Sequence, residues 1–152
     1  MKQMWSEVSN LKFTRKEFGK VHIEMRFVRG EHHGSDGLGN VRGRAYYPSA
    51  GGEIFLDEEE NWSLDSYNNQ FFTKTNLLLV ATHEIGHALG LKHSEKNTSL
   101  MEPGIYNMYL VREVKLDMDD VEAIQALYGA PGLPRPRIED MDEVNIETGN
   151  RR

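Results

Sequence analysis

The feature that most constrains this chain is a run of eleven residues, His83-Glu84-Ile85-Gly86-His87-Ala88-Leu89-Gly90-Leu91-Lys92-His93, with the pattern HExxHxxGxxH. Residues four apart stack on one helix face, so His83 and His87 can present imidazole nitrogens to a single ion. A third ligand on the same helix would sit too far round or too far along. The helix must therefore stop and the chain turn back, and Gly90, which has no Cβ, supplies the positive φ that such a turn needs. His93 then completes a facial set of three.

Three neutral imidazoles leave one position of a tetrahedral zinc ion open for water, whose pKa falls to about 7 in such a site. Glu84, beside His83, is the expected base for that water and afterwards the acid that returns the proton to a leaving amine. A structural zinc would close all four positions with protein atoms, and no fourth candidate lies nearby. Any one of these histidines alone would read as an ordinary core or surface residue. Together, the five fixed positions imply an open, hydrolytic zinc site of the peptidase kind.

The rest of the sequence narrows what can surround such a site. A length of 152 residues suits one domain, and 38% hydrophobic with 28% charged residues is the balance of a soluble globular protein. No apolar run approaches the roughly 20 residues that cross a bilayer, so no membrane segment is expected. The net charge is −6, with Lys and Arg interleaved among the acids, which offers no basic face for nucleic acid. Cysteine is absent, so disulfides and thiolate metal sites are excluded and only His, Asp, Glu and backbone carbonyls remain as ligands. The opening MKQMWSEVSNLKF lacks the basic-then-apolar order of a secretory signal.

Along the chain, Met4, Trp5, Val8 and Leu11 near helical spacing predict the end of an amphipathic helix before Asn10. Val21 to Val28 alternates apolar and polar residues and predicts a strand with one buried face. The glycine-rich stretch from Gly30 to Gly43 predicts a long surface loop, followed by an edge pair of strands, Gly43 to Tyr47 and Glu53 to Asp57, joined by the turn Pro48 to Gly52. Thr75 or Asn76 can cap a helix from Leu77 to about Leu89. Asp117 can cap a last helix that Gly129 ends. Beyond it, Pro131, Pro134 and Pro136 open a polar, acidic segment that reads as an extended linker or disordered tail. The expected division is a domain over 1–129 and a tail over 130–152.

Further runs give these elements a family likeness. Met101 follows His93 within Ser99-Leu100-Met101-Glu102-Pro103, and Ser94 directly follows the third histidine. With Trp5-Ser6-Glu7-Val8, the run Phe27 to Glu31, Leu56 to Trp62 and Asp119 to Gly129, the sequence resembles the metzincin clan of zinc peptidases. Within that clan it is most similar to the catalytic domain of a matrix metalloproteinase, over residues 1 to about 129. The resemblance implies a mixed α+β fold with a twisted, mostly parallel sheet, an antiparallel edge strand near Arg42 to Tyr46, an active-site helix and a C-terminal helix. Met101 would form the methionine turn beneath the metal, and substrate would lie extended along the edge strand. Pro103, Gly104 and Ile105 would wall a pocket for the apolar side chain just after the scissile bond, with the loop to Lys115 as its rim.

The resemblance also implies a structural Ca²⁺ held by Asp36, Gly37, Gly39, Val41, Asp57 and Glu60, an oxygen set that suits this ion. The family's second, structural zinc is not expected, because Arg44 and Phe55 stand where two of its histidines would be, and neither can ligate zinc. One zinc per chain is the expectation, with His32 and His33 solvated loop residues and His22 on the polar face of its strand. Other expectations are the lack of the family's inhibitory propeptide cysteine and of its first strand, which would leave a sheet edge open. The implied activity is a secreted endopeptidase acting on extracellular matrix or other secreted proteins and open to protein inhibitors of metalloproteinases. The competing reading is a non-catalytic module that keeps its zinc but cannot hold productive geometry.

Overall fold

The computed structural model describes residues 2–29, 41–64, 74–104 and 113–133. Most of the expected glycine-rich loop, with Asp36, Gly37 and Gly39, lies outside the described residues, as do His32, His33, Ile105 and the segment from 134 onward.

Helix α1 (Lys2–Glu7) leads to strand β1 (Glu24–Val28). Strands β2 (Gly43–Ala45) and β3 (Glu53–Asp57) follow, linked through a 3-10 turn at Pro48–Ala50. β4 (Trp62–Ser63) and β5 (Thr75–Asn76) precede α2 (Leu77–Ala88) and, last, α3 (Met118–Tyr128). The main sheet has the order β1-β3-β2. β1 runs parallel to β3 in the register Arg26 to Phe55, and β2 runs antiparallel in the register Arg44 to Phe55. β4 and β5 make a further parallel pair. The fold is the α+β arrangement that the resemblance implied, with mostly parallel pairing and an antiparallel edge strand.

β3 is therefore the central strand of three, not half of an edge pair, and its sequence says why. Four of its five residues are buried, because both faces are covered. Ile54 and Leu56 face α2, and burying each contributes about 1.5–3 kcal/mol. Phe55 points the other way, beneath the Arg26 guanidinium at 5.1 Å and edge-on to Tyr46 at 5.9 Å. β1 is shorter than its alternation suggested: its partner β3 begins at Glu53, opposite Glu24, so Val21 to Ile23 have no ladder to join. Among the described residues β1 pairs on one side only.

α2 is buried almost all round, from Leu79 to Gly86 and again at Ala88, as a helix between a sheet and other helices should be. Asn76 caps it, its side chain accepting the N–H of Leu79 at 3.1 Å. Gly90 ends it at φ 104°, where Leu91 N–H donates back to the Gly86 carbonyl at 2.9 Å.

α1 and α3 clasp that helix. Trp5 is fully buried and donates its indole N–H to the Thr82 carbonyl at 3.1 Å. Gln125 of α3 donates to the Val8 carbonyl at 2.8 Å, and Asn10 N–H to the Gly129 carbonyl at 3.1 Å. Tyr128 donates its hydroxyl to the Leu89 carbonyl at 2.7 Å. The chain stays on this unit through Leu133, because the Asn10 side chain bonds both Gly132 and Leu133. Among the described residues no helix is long and apolar enough to cross a membrane.

Candidate active site

His83 and His87 project from one face of α2, and their outer nitrogens are aimed by hydrogen bonds on the inner ones. His83 Nδ1 lies 2.7 Å from the Leu100 carbonyl and His87 Nδ1 lies 2.8 Å from the Leu91 carbonyl. A carbonyl only accepts, so each Nδ1 carries the proton and each Nε2 presents a lone pair. The turn at Gly90 returns His93, whose Nε2 stands 3.1 Å from that of His87. One ligand atom from each of the three residues lies within 4.8 Å of the others.

Tetrahedral zinc with nitrogen ligands at 2.0–2.1 Å separates them by about 3.3 Å, near the 3.1 Å between His87 and His93 and inside the 4.8 Å that spans the set. A ring nitrogen facing another at this distance is bridged by a cation or by the N–H of a neutral imidazole. Burial keeps His83 and His87 from taking up a second proton. It pushes His83 from 6.5 down to about 3, against the pull of the Leu100 carbonyl, and the neighbouring His87 and His93 push in the same direction. His87 is lowered too, again chiefly by burial. Neutral imidazoles are the form that binds metal.

Beneath the triad, the turn at Ser99 to Met101 is built around a single buried carboxylate. Asp120, on the first turn of α3, accepts the Ser99 hydroxyl, the Leu100 N–H at 2.8 Å and the Met101 N–H at 3.1 Å. It also accepts the Asp117 N–H at 2.8 Å, closing a capping box with Asp117. Met101 is buried, and its sulfur fills the space where a Cβ on Gly86 would stand. Ser94 N–H donates to the Met101 carbonyl at 2.9 Å, which ties the turn to the residue after His93. Asp120 has no assigned role in the sequence reading; the spacing of Asp117 and Asp120 at a helix start is the signal that pointed to it.

Glu84 is buried at the side of α2 nearest β2. A Cβ on Gly43 would stand 3.0 Å from Glu84 Cγ and 3.2 Å from Oε1, so the carboxylate lies directly against the edge strand. Gly43, Arg44, Ala45, Tyr47 and Pro103 line one cleft with Glu84 and the three histidines. Pro103 is thus beside the triad. Gly104 adjoins it, its Cα turned toward the Glu102 carboxylate. Gly90 lies away from the cleft, against Leu127 and Pro48. Tyr47, which the sequence places only at a strand end, sets its ring 6.0 Å from that of His87, nearly perpendicular to it.

Of the six expected calcium ligands, Val41, Asp57 and Glu60 fall in the described residues. Asp57 is buried; Oδ1 accepts the Glu59 N–H at 2.8 Å, while Oδ2 has no hydrogen-bond partner. Glu60, also buried, accepts the Thr75 hydroxyl at 2.7 Å and has Arg42 Nε 3.9 Å away. An orphaned buried carboxylate oxygen, with a second buried carboxylate three residues on, is a donor type that suits a hard cation. At the positions of the family's second zinc, Arg44 and Phe55 are direct cross-strand partners, and neither has a zinc-ligating atom.

A helix that ends in a glycine turn, three convergent imidazoles, a buried glutamate against an edge strand and a methionine turn below define a site of the metzincin class. The chain belongs to the matrixin family, whose profile matches residues 2–129. It is 40% identical over 134 residues to the macrophage metalloelastase of Rattus norvegicus, covering 85% of this chain and 27% of that protein. Stromelysin-2 of Rattus norvegicus is 41% identical over 133 residues, 84% of this chain and 27% of that protein. Interstitial collagenase of Equus caballus is 40% identical over 137 residues, 87% of this chain and 27% of that protein. The chain spans about a quarter of the length of these curated relatives.

Proposed function

We propose that residues 1–129 are the catalytic domain of a zinc-dependent endopeptidase of the matrix metalloproteinase type, with 130–152 a following linker or tail. The observation that carries this reading is the convergence of His83, His87 and His93 beside the buried carboxylate of Glu84. His83, His87 and His93 would hold one zinc ion, which when bound supplies Lewis acidity toward the scissile carbonyl and makes water acidic enough to give up a proton near neutral pH.

The protein's own residues do the rest. The Leu100 and Leu91 carbonyls keep His83 and His87 in the ligating tautomer. β2 offers its outer backbone edge to an extended polypeptide, which pairs as an added strand and brings its scissile bond beside Glu84. Glu84 takes the proton of the attacking water and passes it to the leaving nitrogen, so that no charged amide anion has to depart. Pro103, Gly104 and Ile105 wall the pocket for the apolar side chain that follows the scissile bond.

One zinc and one calcium per chain complete the reading. The calcium is supported by the orphaned buried oxygen of Asp57, and Glu60, Asp36, Gly37, Gly39 and Val41 would supply the remaining oxygens. The likeness to a metalloelastase, a stromelysin and an interstitial collagenase favours an extracellular setting, with matrix or other secreted proteins as substrates and protein metalloproteinase inhibitors as partners.

The test is a quenched collagen-like peptide assayed with zinc and calcium beside a Glu84→Ala control. Chelator-sensitive cleavage that disappears in the control is the expected result. Equal cleavage by both proteins would remove Glu84 from the mechanism. A folded, zinc-loaded protein without turnover would favour the non-catalytic binding module instead.

A further inference from the structure

We propose that Tyr47 is a specificity-determining residue: its ring forms a rigid wall of the cleft that selects a planar or aromatic side chain shortly before the scissile bond. The inference rests on the peptidase reading and adds a substrate preference to it.

Three observations place the ring. It lines the same cleft as the triad and Glu84, it stands 6.0 Å from the His87 ring at 81°, and it remains 43% exposed. Its backbone is pinned, because the Tyr47 carbonyl accepts the N–H of Ala50 at 2.8 Å and of Gly52 at 3.2 Å. Pro48 follows and fixes the next φ. An aromatic ring on so constrained a backbone loses little freedom on binding a ligand, the property that makes aromatics good recognition anchors.

Orienting His87 does not require Tyr47. The Leu91 carbonyl already fixes the tautomer and plane of that imidazole. The ring's open face is thus available to substrate, and an aromatic partner there gains an offset or edge contact beyond simple burial.

The side of the scissile bond follows from Glu84. The carboxylate that protonates the leaving nitrogen must lie toward the leaving half of the substrate, and Glu84 lies against Gly43. Tyr47 is four residues further along the chain, past the end of β2, and beside His87. It therefore faces the acyl half, within about three residues of the bond at roughly 3.3 Å per residue.

The experiment compares wild type, Tyr47→Ala and Tyr47→Phe, zinc-loaded, on quenched peptides that differ only at the three positions before the scissile bond, each set in turn to Phe, Leu or Gly. The expected result is a preference of about tenfold in kcat/KM for Phe over Gly at one of these positions, within the range of aromatic pair energies. Tyr47→Phe keeps that preference and Tyr47→Ala reduces it to about twofold or less. A preference equal in all three proteins overturns the proposal.

The acyl-half peptides, ending in a free carboxylate, are also measured for binding by fluorescence anisotropy, with thermal unfolding to check that each variant is folded. Phe selectivity in binding that Tyr47→Ala abolishes supports the wall even if no peptide is cut, in which case only the peptidase reading fails. Turnover with no Tyr47-dependent selectivity in either assay sinks the wall and leaves the peptidase reading standing. Absence of selective binding and of turnover in wild type overturns both.

Discussion

The carboxylate of Asp120 accepts the backbone N–H of Met101 from 19 positions away, so the first turn of α3 holds up the floor of the metal site. The same carboxylate also accepts from Ser99, Leu100 and Asp117. Asp120→Ala takes the shared acceptor from the buried Ser99 hydroxyl and Leu100 N–H, and hydrogen bonds to a charged group contribute roughly 1.5–3 kcal/mol each. The expected loss is about 3 kcal/mol or more in urea unfolding, with weaker zinc retention against a chelator. A variant of wild-type stability would show that the turn stands without this carboxylate.

Gly86 and Met101 should be energetically coupled. In a helix interior, Gly→Ala normally gains about 1 kcal/mol. Here the added methyl meets the Met101 sulfur, and overpacking costs about 1–3 kcal/mol, so Gly86→Ala should lose that gain and destabilise by up to about 2 kcal/mol. Shortening the neighbour removes the clash, so Gly86→Ala in a Met101→Ala background should cost clearly less. Strict additivity across the double-mutant cycle is the outcome that contradicts this.

Zinc-free protein should lose stability as the medium is acidified. An unfolded chain protonates His83 near 6.5, whereas the folded chain resists until about 3. Across that window the unfolded state binds more protons, so stability is full above about 6.5 and falls steadily toward pH 3, by on the order of 4 kcal/mol. His87, lowered for the same reason, adds to the slope. Urea midpoints from pH 7 to pH 4 measure it, and His83→Gln should flatten the curve. Below that window Asp117 contributes with the same sign, since the hydrogen bond from Lys96 and the Asp119 N–H hold its carboxyl at about 2.

Calcium should stabilise the protein through Asp57. At a hundredfold excess over Kd, a ligand that binds only the folded state adds about 2.7 kcal/mol. Wild type should therefore melt higher in calcium than in a calcium chelator, while Asp57→Asn should show little difference. An equal calcium response in both proteins would place the ion elsewhere.

What could be read from the sequence was local chemistry. Asn76 and Gly90 mark the ends of α2 because a cap and a positive-φ turn are decided within a few residues, and the histidine spacing is a property of one helix and one turn. Position in the sheet was harder. Alternation continues from Val21 to Val28, yet only Glu24 onward finds a partner, because pairing depends on where β3 begins. The central place of β3 depends on β1 joining it from 29 residues upstream. β4 and β5, two residues each, are too short to show any period. The roles of Asp120 and Tyr47 arise only when the fold brings α3 under the triad and the turn after β2 over it.

The clasp of α1 on α3 also governs how the domain would respond to force. Asn10 meets Gly129, Gly132 and Leu133, so the segment after α1 and the end of the described unit share one corner. Tension applied through both flanks would fall first on that corner and on the bond between Gln125 and Val8. Tension through the leading flank also reaches the triad's own helix, because Trp5 is anchored on the Thr82 carbonyl beside His83. Pulling on that flank would strain the cleft, whereas pulling on the trailing flank would load the corner first.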